Sequence, residues 1–219
     1  MRRTDVKICG LSTPATVDAA VAAGARYVGF VFYPPSPRAV SIDLASQLAR
    51  RLPTGVRSVG LFVEPSDDAL DDTLSKVGLD LIQLHGGELP GRVAEVKRTV
   101  SLPVMKAVRI ADASDVAATE AYQDTVDMLL FDAKPPKNVA SLPGGNGLTF
   151  DWSLLAGRQW DVPWMLSGGL TIDTVAEAIA QTGATAVDVS SGVEDRPGVK
   201  SAEKIKAFIT AAHGAAAVA

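Results

Sequence analysis

The sequence contains few of the residues that form disulfides and bind metals. Its 219 residues include one cysteine, Cys9, and two histidines, His85 and His213. One cysteine cannot form an intramolecular disulfide, and these residues show no metal-binding spacing. We therefore expect no metal site. Because the first residues do not resemble a secretory signal and no cysteine pairs are found, we expect a cytoplasmic protein.

Long apolar segments, basic tracts and nucleotide-binding motifs are also missing. The longest apolar run, Tyr27–Tyr33, is far too short to span a bilayer, so no membrane partner is expected. The chain has 21 basic and 25 acidic residues, a formal net charge of −4, which argues against nucleic acid as the main partner. Neither a dinucleotide-binding glycine motif nor a Walker motif is found. These absences favour a cofactor-free protein with a small-molecule partner.

The pattern that is present is an alternation of short apolar runs with longer amphipathic segments. This alternation is typical of parallel strands joined by helices. Eight strands are predicted, at Val6–Cys9, Tyr27–Phe32, Arg57–Val63, Leu81–His85, Pro103–Val108, Met128–Asp132, Trp164–Ser167 and Ala186–Val189. Eight helices are predicted between and after them, at Thr13–Ala23, Asp43–Arg51, Asp67–Val77, Glu88–Thr99, Ala113–Tyr122, Asp151–Gly157, Asp173–Thr182 and Ser201–Ala212. The order predicts an α/β fold of the (β/α)8 TIM barrel type.

A doubly wound open sheet is the alternative architecture. It is disfavoured because no glycine-rich turn of the dinucleotide-binding type follows the first strand. Residues 1–212 are predicted to form a single barrel domain, and residues 213–219 a frayed C-terminal tail. Thr13 and Pro14 form a helix-start signal, and Gly24 and Gly183 are expected to end helices.

In a barrel of this kind the active site lies at the C-terminal ends of the strands, and two of those ends carry acid–base candidates. Cys9 can act as a base only if nearby positive charge favours its thiolate, and Lys7 shares its strand face, which in a barrel is the interior. Asp132 closes an apolar strand, where partial burial would suit it as a general acid. The alternatives are an inert buried cysteine and an aspartate that makes only a loop hydrogen bond.

The loops after strands seven and eight are predicted to bind phosphate. Gly168 and Gly169 follow strand seven, and Ser191 and Gly192 follow strand eight. Barrels of this class commonly bind phosphate at this position through backbone N–H groups, which small residues leave accessible. Tight turns without a ligand are the alternative. A small phosphorylated metabolite is therefore the predicted substrate.

Three further side chains are candidate substrate contacts. Arg38 ends a loop with three prolines, whose stiff backbone suits a clamp for a carboxylate or phosphate. His85 and Asp188 lie at or near the ends of strands four and eight. For each, a purely structural or solvent-exposed role is the alternative.

Seven segments together resemble the phosphoribosylanthranilate isomerases of tryptophan biosynthesis. They are Lys7–Leu11 (KICGL), Gly29–Phe32 (GFVF) with Ser36–Arg38 (SPR), Val59–Val63 (VGLFV), Gln83–Gly86 (QLHG), Gly144–Gly147 (GGNG) with Phe150–Trp152 (FDW), Leu166–Leu170 (LSGGL) and Asp188–Glu194 (DVSSGVE). The resemblance covers almost the whole chain. It implies a cofactor-free Amadori rearrangement of N-(5-phosphoribosyl)anthranilate to 1-(2-carboxyphenylamino)-1-deoxyribulose 5-phosphate.

The resemblance also implies roles for individual residues. Asp132 would protonate the ribose ring oxygen, and Cys9, as thiolate, would remove the proton from C2 after a modest fall in its pKa. Arg38 would hold the anthranilate carboxylate, and the Gly144–Gly147 loop would close over the substrate. The chain departs from many relatives at Ala133, where we expect serine, and in the charged loop that follows it.

Two other functions are compatible with the same barrel. One is a sister isomerase of histidine biosynthesis, which uses two carboxylates, so that Cys9 argues against it. The other is a non-catalytic barrel that binds phosphorylated metabolites. The sequence predicts a monomer or a homodimer without deciding between them.

Overall fold

The computed structural model describes residues 3–136 and 144–215, and its eight parallel strands close into a barrel in sequence order. The strands are β1 (Asp5–Cys9), β2 (Tyr27–Phe32), β3 (Arg57–Phe62), β4 (Leu81–Leu84), β5 (Val104–Ile110), β6 (Met128–Ala133), β7 (Trp164–Leu166) and β8 (Ala186–Val189). Closure pairs β1 with β8, in a register that places Lys7 beside Asp188. The (β/α)8 barrel is confirmed, and the open sheet is excluded.

Within the described ranges, seven α-helices surround the barrel. They are α1 (Pro14–Ala23), α2 (Ile42–Ala49), α3 (Asp67–Leu74), α4 (Pro90–Thr99), α5 (Ala113–Ala118), α6 (Val175–Thr182) and α7 (Ala202–Ala215). Short 3₁₀ helices occupy Thr119–Thr125, Trp152–Leu155 and Ser191–Val193. None of the helices in the described ranges is long and apolar enough to cross a membrane.

The predicted helix boundaries are confirmed at the helix ends that capping residues mark. The Thr13 side chain accepts a hydrogen bond from the Thr16 N–H, and Pro14 occupies the first turn of α1. Gly24 ends that helix with φ 99° and Gly183 ends α6 with φ 69°, in the left-handed region that glycine adopts without steric cost.

Other predicted boundaries are wrong. The segment Asp151–Gly157 forms only one 3₁₀ turn, and β5 runs to Ile110, two residues past the predicted end. A two-stranded hairpin, β9 (Glu194–Arg196) and β10 (Val199–Lys200), follows β8 and was not predicted. Helix α7 continues through Ala215, beyond the expected start of a frayed tail; residues 216–219 lie outside the described residues.

The barrel wall has two buried faces. Tyr27, Val59, Leu81, Met105, Ala107, Leu130, Met165 and Ala186 pack together inside the barrel. The strand residues between them face the helices and join the main hydrophobic core. Cys9, Val31 and Leu61 form a second interior cluster. Successive residues of one strand therefore lie on opposite sides of the wall, so Lys7 and Cys9 share the interior.

Candidate active site

All nine residues predicted from the sequence border one pocket at the C-terminal ends of the strands. They are Cys9, Arg38, His85, Asp132, Gly168, Gly169, Asp188, Ser191 and Gly192. The pocket encloses about 740 Å³, including its open mouth. The structure thus brings together residues from six different strand ends, and their individual roles remain predictions. No cluster of acidic, histidine or cysteine side chains in the described ranges could hold a metal ion.

One side of the pocket is formed by Cys9 and a buried ion pair. Lys7 Nζ donates to Asp188 Oδ1 at 2.8 Å, and Ser167 Oγ donates to Asp188 Oδ2 at 3.1 Å. Lys7 is fully buried. Burial alone would lower its pKa, but the negative charges of Asp188 and Cys9 raise the pKa of Lys7 above its usual value. Lys7 therefore keeps its charge inside the barrel.

The pKa of the Cys9 thiol is raised, contrary to the fall expected from the sequence. Burial is the largest cause, because it disfavours the charged thiolate, and Asp188 adds to the effect. Lys7 and Lys200 act in the opposite direction without overcoming burial. The sequence shows that Lys7 is near Cys9 but does not show how deeply both are buried.

The other side of the pocket is formed by Asp132 and His85. Asp132 Oδ2 lies 3.0 Å from His85 Nε2, and Asp132 Oδ1 accepts the Ala133 N–H at 2.9 Å. His85 Nδ1 lies 3.2 Å from Gln83 Nε2, an amide donor, so the pattern assigns the imidazole hydrogen to Nε2. Asp132 is thus held by two N–H donors. Because one is a backbone group, alanine at 133 preserves it.

The loop after β6 lies directly over this pair. A Cβ atom at Gly144 would be 2.6 Å from His85 Cε1 and 3.1 Å from Asp132 Oδ2. Glycine is therefore needed for this approach. Gly144 is the first residue described after the gap at 137–143, and Lys137 of the charged loop lies outside the described residues.

Arg38 is held by a residue that the sequence analysis did not identify. Its Nε and Nη2 donate to the two carboxylate oxygens of Glu194 at 2.7 and 2.9 Å, and Nη2 also donates to the Gly145 carbonyl at 3.2 Å. Lys200 Nζ donates to Glu194 Oε1 at 2.6 Å. Glu194 belongs to the segment Asp188–Glu194, which carries part of the family resemblance, so the sequence contained a signal for this residue. It contained no signal for Lys200.

The loops after β7 and β8 line the pocket and pack closely. Gly168 has φ +87°, and a Cβ there would lie 2.8 Å from the Ala133 nitrogen. A Cβ at Gly192 would overlap the Leu170 carbonyl oxygen. Ser191 begins the 3₁₀ helix beside it. Glycine at both positions therefore lets these loops pack against neighbouring backbone while both line the pocket.

The model of the N-(5'-phosphoribosyl)anthranilate (PRA) isomerase family matches residues 6–211. The chain belongs to this isomerase family. A similar relative is the N-(5'-phosphoribosyl)anthranilate isomerase of Rhodospirillum centenum, which is 60% identical over 207 residues, or 94% of this chain and 97% of the relative. The chain is an isomerase of tryptophan biosynthesis.

Two solved isomerase structures are similar in fold. One is the dimeric phosphoribosylanthranilate isomerase of Thermotoga maritima, in a monomeric form, with a TM-score of 0.81 and 36% identity, covering 96% of this chain and 99% of that one. The other is a phosphoribosyl anthranilate isomerase in complex with reduced 1-(o-carboxyphenylamino)-1-deoxyribulose 5-phosphate. Its TM-score is 0.82 at 35% identity, with the same coverage of both chains.

Proposed function

We propose that Asp132 is the general acid and Cys9 the general base of the isomerisation. The reaction converts the aminoaldose N-(5-phosphoribosyl)anthranilate into the aminoketose 1-(2-carboxyphenylamino)-1-deoxyribulose 5-phosphate. Ring opening needs a proton donor and enolamine formation needs a base. The observation that carries the proposal is that these two side chains, at the ends of β1 and β6, border one pocket.

In the first step Asp132 protonates the ribose ring oxygen. The bond from C1 to the ring oxygen breaks, and its electron pair goes to that oxygen while the nitrogen lone pair forms a protonated Schiff base with C1. Asp132 is left as a carboxylate. The N–H groups of His85 and Ala133 then stabilise the new negative charge, since both already point at its oxygens.

In the second step the Cys9 thiolate removes the proton from C2. The C–H electron pair forms the C1–C2 double bond of an enolamine, which neutralises the Schiff base and then tautomerises to the ketone. Because burial raises the thiol pKa, the thiolate needs positive charge beside it. Lys7 supplies one such charge, and the protonated Schiff base supplies a second at the moment of transfer.

The remaining pocket residues are proposed to hold the substrate at its two ends. Arg38 binds the anthranilate carboxylate, since a guanidinium matches a carboxylate in geometry and charge. The loops at Gly168, Gly169, Ser191 and Gly192 bind the phosphate. His85 and Asp188 border the pocket and are proposed to contact the sugar portion, in addition to their bonds to Asp132 and Lys7.

Three broader expectations remain proposals. We propose a single domain over residues 1–212 and a cytoplasmic location, which suits an enzyme of amino-acid biosynthesis. We propose a monomer or a homodimer; a dimer is known for the Thermotoga maritima relative.

The test is a turnover assay with purified protein. Phosphoribosylanthranilate should be consumed with loss of its anthranilate-type fluorescence, and Cys9→Ser protein serves as the blank. The aminoaldose of histidine biosynthesis is assayed in parallel. Turnover of that compound alone, or of neither compound, would show that the proposed reaction is wrong.

A further inference from the structure

The hairpin β9–β10 contributes a buried cluster of charges to the edge of the pocket. The cluster consists of Arg38, Glu194 and Lys200, whose side chains are 6%, 4% and 0% exposed, respectively. Arg38 follows β2, whereas the other two residues come from the hairpin after β8. These loops meet because closure of the barrel places β1 between β2 and β8.

Glu194 holds the guanidinium of Arg38 from one side. A guanidinium has a side edge, formed by Nε and one terminal nitrogen, and an end edge, formed by the two terminal nitrogens. Glu194 occupies the side edge through Nε and Nη2. Nη1, the other terminal nitrogen, lies at the pocket wall beside Gly145, where an added Cβ would be 2.6 Å from it. Nη2 donates to the Gly145 carbonyl as well as to Glu194, so a ligand contact falls to Nη1.

The charges in the cluster sum to one positive charge. Arg38 and Lys200 are cations and Glu194 is an anion, so two positive charges and one negative charge remain buried together. Burial alone would raise the pKa of Glu194, but its bonds to Arg38 and Lys200 hold that pKa below the usual value, so Glu194 stays ionised. A single substrate carboxylate would make the cluster neutral, which suits a buried site.

Lys200 also connects this cluster to the loop proposed to bind phosphate. Its Nζ donates to the Ser190 carbonyl at 2.9 Å and lies 3.1 Å from Ser190 Oγ. Ser190 Oγ in turn donates to the Cys9 carbonyl at 3.2 Å. One hydrogen-bond network therefore joins the backbone of β1, the start of the phosphate loop and the Arg38 guanidinium.

We propose that Glu194 is the positioning residue for carboxylate recognition: it orients Arg38 so that Nη1 faces the substrate, and Lys200 offsets the charge of Glu194. The inference depends on the proposed role of Arg38. It adds that specificity for a carboxylated aminoaldose requires the hairpin as well as the arginine. Glu194 acts through Arg38 and takes no part in the proton transfers.

The variant Glu194→Gln separates positioning from simple charge competition. If Glu194 only competed with the substrate carboxylate for Arg38, its neutralisation would tighten binding. A positioning role predicts the reverse: the Kd for the reduced product 1-(o-carboxyphenylamino)-1-deoxyribulose 5-phosphate and the substrate KM rise about tenfold, because the bidentate hold on Arg38 is lost. We expect kcat to change much less, and the Kd for inorganic phosphate to stay unchanged.

Two further variants complete the experiment. Glu194→Asp keeps the negative charge but has a side chain one methylene shorter. A positioning role predicts weaker ligand binding in this variant, whereas a pure charge role predicts wild-type binding. If Glu194→Gln does not fold, Glu194→Asp distinguishes the two roles. Asp195→Asn is the matched control, since Asp195 lies on the same hairpin with an exposed carboxylate paired to Lys204. We expect its Kd and KM to equal those of the wild type.

The variant Arg38→Met separates the proposed carboxylate contact of Arg38 from the proposed positioning role of Glu194. Unchanged binding in Arg38→Met would overturn the proposed carboxylate contact itself. Weaker binding in Arg38→Met together with wild-type or tighter binding in Glu194→Gln would overturn only the positioning role. The expected result is a similar loss in each single variant and no additional loss in the double variant, since both act through one contact.

Discussion

Two lysines on opposite faces of the barrel wall form similar buried ion pairs with different surroundings. Lys7 faces the interior and donates to Asp188, and Lys106 faces the helices and donates to Glu88, each at 2.8 Å. The first pair borders the substrate pocket. The second holds the loop after β4, because Lys106 also donates to the Gly86 carbonyl and Glu88 accepts the Gly86 N–H. A buried ion pair alone therefore does not identify an active site.

The two lysines also differ in the direction of their pKa shifts. Burial lowers the pKa of Lys106, and the attraction of Glu88 does not fully compensate. The pKa of Lys7 is raised despite complete burial, because Asp188 and Cys9 both attract its proton. The interior pair thus shares its cation with a third group that can ionise. Lys106 is also attracted by a third ionisable group, Glu64, so the interior pair differs in that its third group, Cys9, borders the pocket.

The largest expected effect concerns the interior groups that exchange protons. Cys9→Ser and Asp132→Asn should each lower kcat by about 10²–10⁴-fold, the usual contribution of a general acid or base, with little loss of folded protein. The measurement is the fluorescence-based turnover rate. Asp127→Asn is the matched control, because Asp127 lies just before the opposite end of the same strand, β6, and should leave kcat unchanged. Near wild-type kcat in either site variant would refute its assigned role.

The second prediction compares the two lysines directly. Lys7→Met and Lys106→Met each leave a buried carboxylate without its partner, so each should lower the free energy of unfolding by about 3–5 kcal/mol. Only Lys7→Met should also lower kcat, by about tenfold or more, since removal of a nearby positive charge raises the pKa of the Cys9 thiol further. Urea unfolding and kcat per folded molecule measure the two effects. Equal losses of kcat would remove the distinction between the pairs.

The third prediction is a pH dependence with opposite signs for activity and stability. In Asp132→Asn protein, where residue 132 carries no ionisable group, the residual kcat/KM should rise with pH by about tenfold per unit below the raised pKa of Cys9, as the thiolate forms. Stability should fall as pH rises above the ordinary thiol value of 9.0, because the unfolded chain ionises first while the folded state retains its proton. A pH–rate profile and urea unfolding at each pH test both trends. Cys9→Ser should abolish both; persistence of either trend would assign it to another group.

The smallest expected effects come from two glycines. Gly144→Ala would place a methyl group against His85. We expect it to lower the free energy of unfolding by about 1–3 kcal/mol and to lower kcat severalfold. Gly91→Ala in α4 has nothing within 4 Å of the new Cβ, so it should stabilise the protein by about 0.5–1 kcal/mol and leave kcat unchanged. Thermal unfolding and kcat provide the comparison. An unaffected Gly144→Ala enzyme would mean that the loop does not need its close approach.

The strands were predictable because their apolar runs are buried on both faces, and seven of the eight end within one residue of the predicted position. Helix length was less predictable. Asp151 caps a turn by accepting the Ser153 N–H, as a helix start would require, yet only Trp152–Leu155 follows as 3₁₀ helix. A capping residue specifies where a helix can begin, whereas tertiary packing decides how far it continues.

The pocket residues on strand ends were predictable from the barrel rule, but the contacts between distant loops were not. Glu194 lies 156 positions from Arg38, and nothing in the local sequence of either indicates the pairing. The direction of the Cys9 pKa shift was missed for a related reason. A sequence shows which charges are neighbours along a strand, whereas the penalty for burial depends on packing from all sides.

The pairing of β1 with β8 has a consequence for synthesis of the protein. Lys7 is made 181 residues before its partner Asp188, and the hairpin that holds Arg38 comes later still in the chain. While the rest of the chain is being made, Lys7 therefore lacks the carboxylate that pairs with it. The wall can close, and the pocket can form, only after the segment that contains β8 has been made.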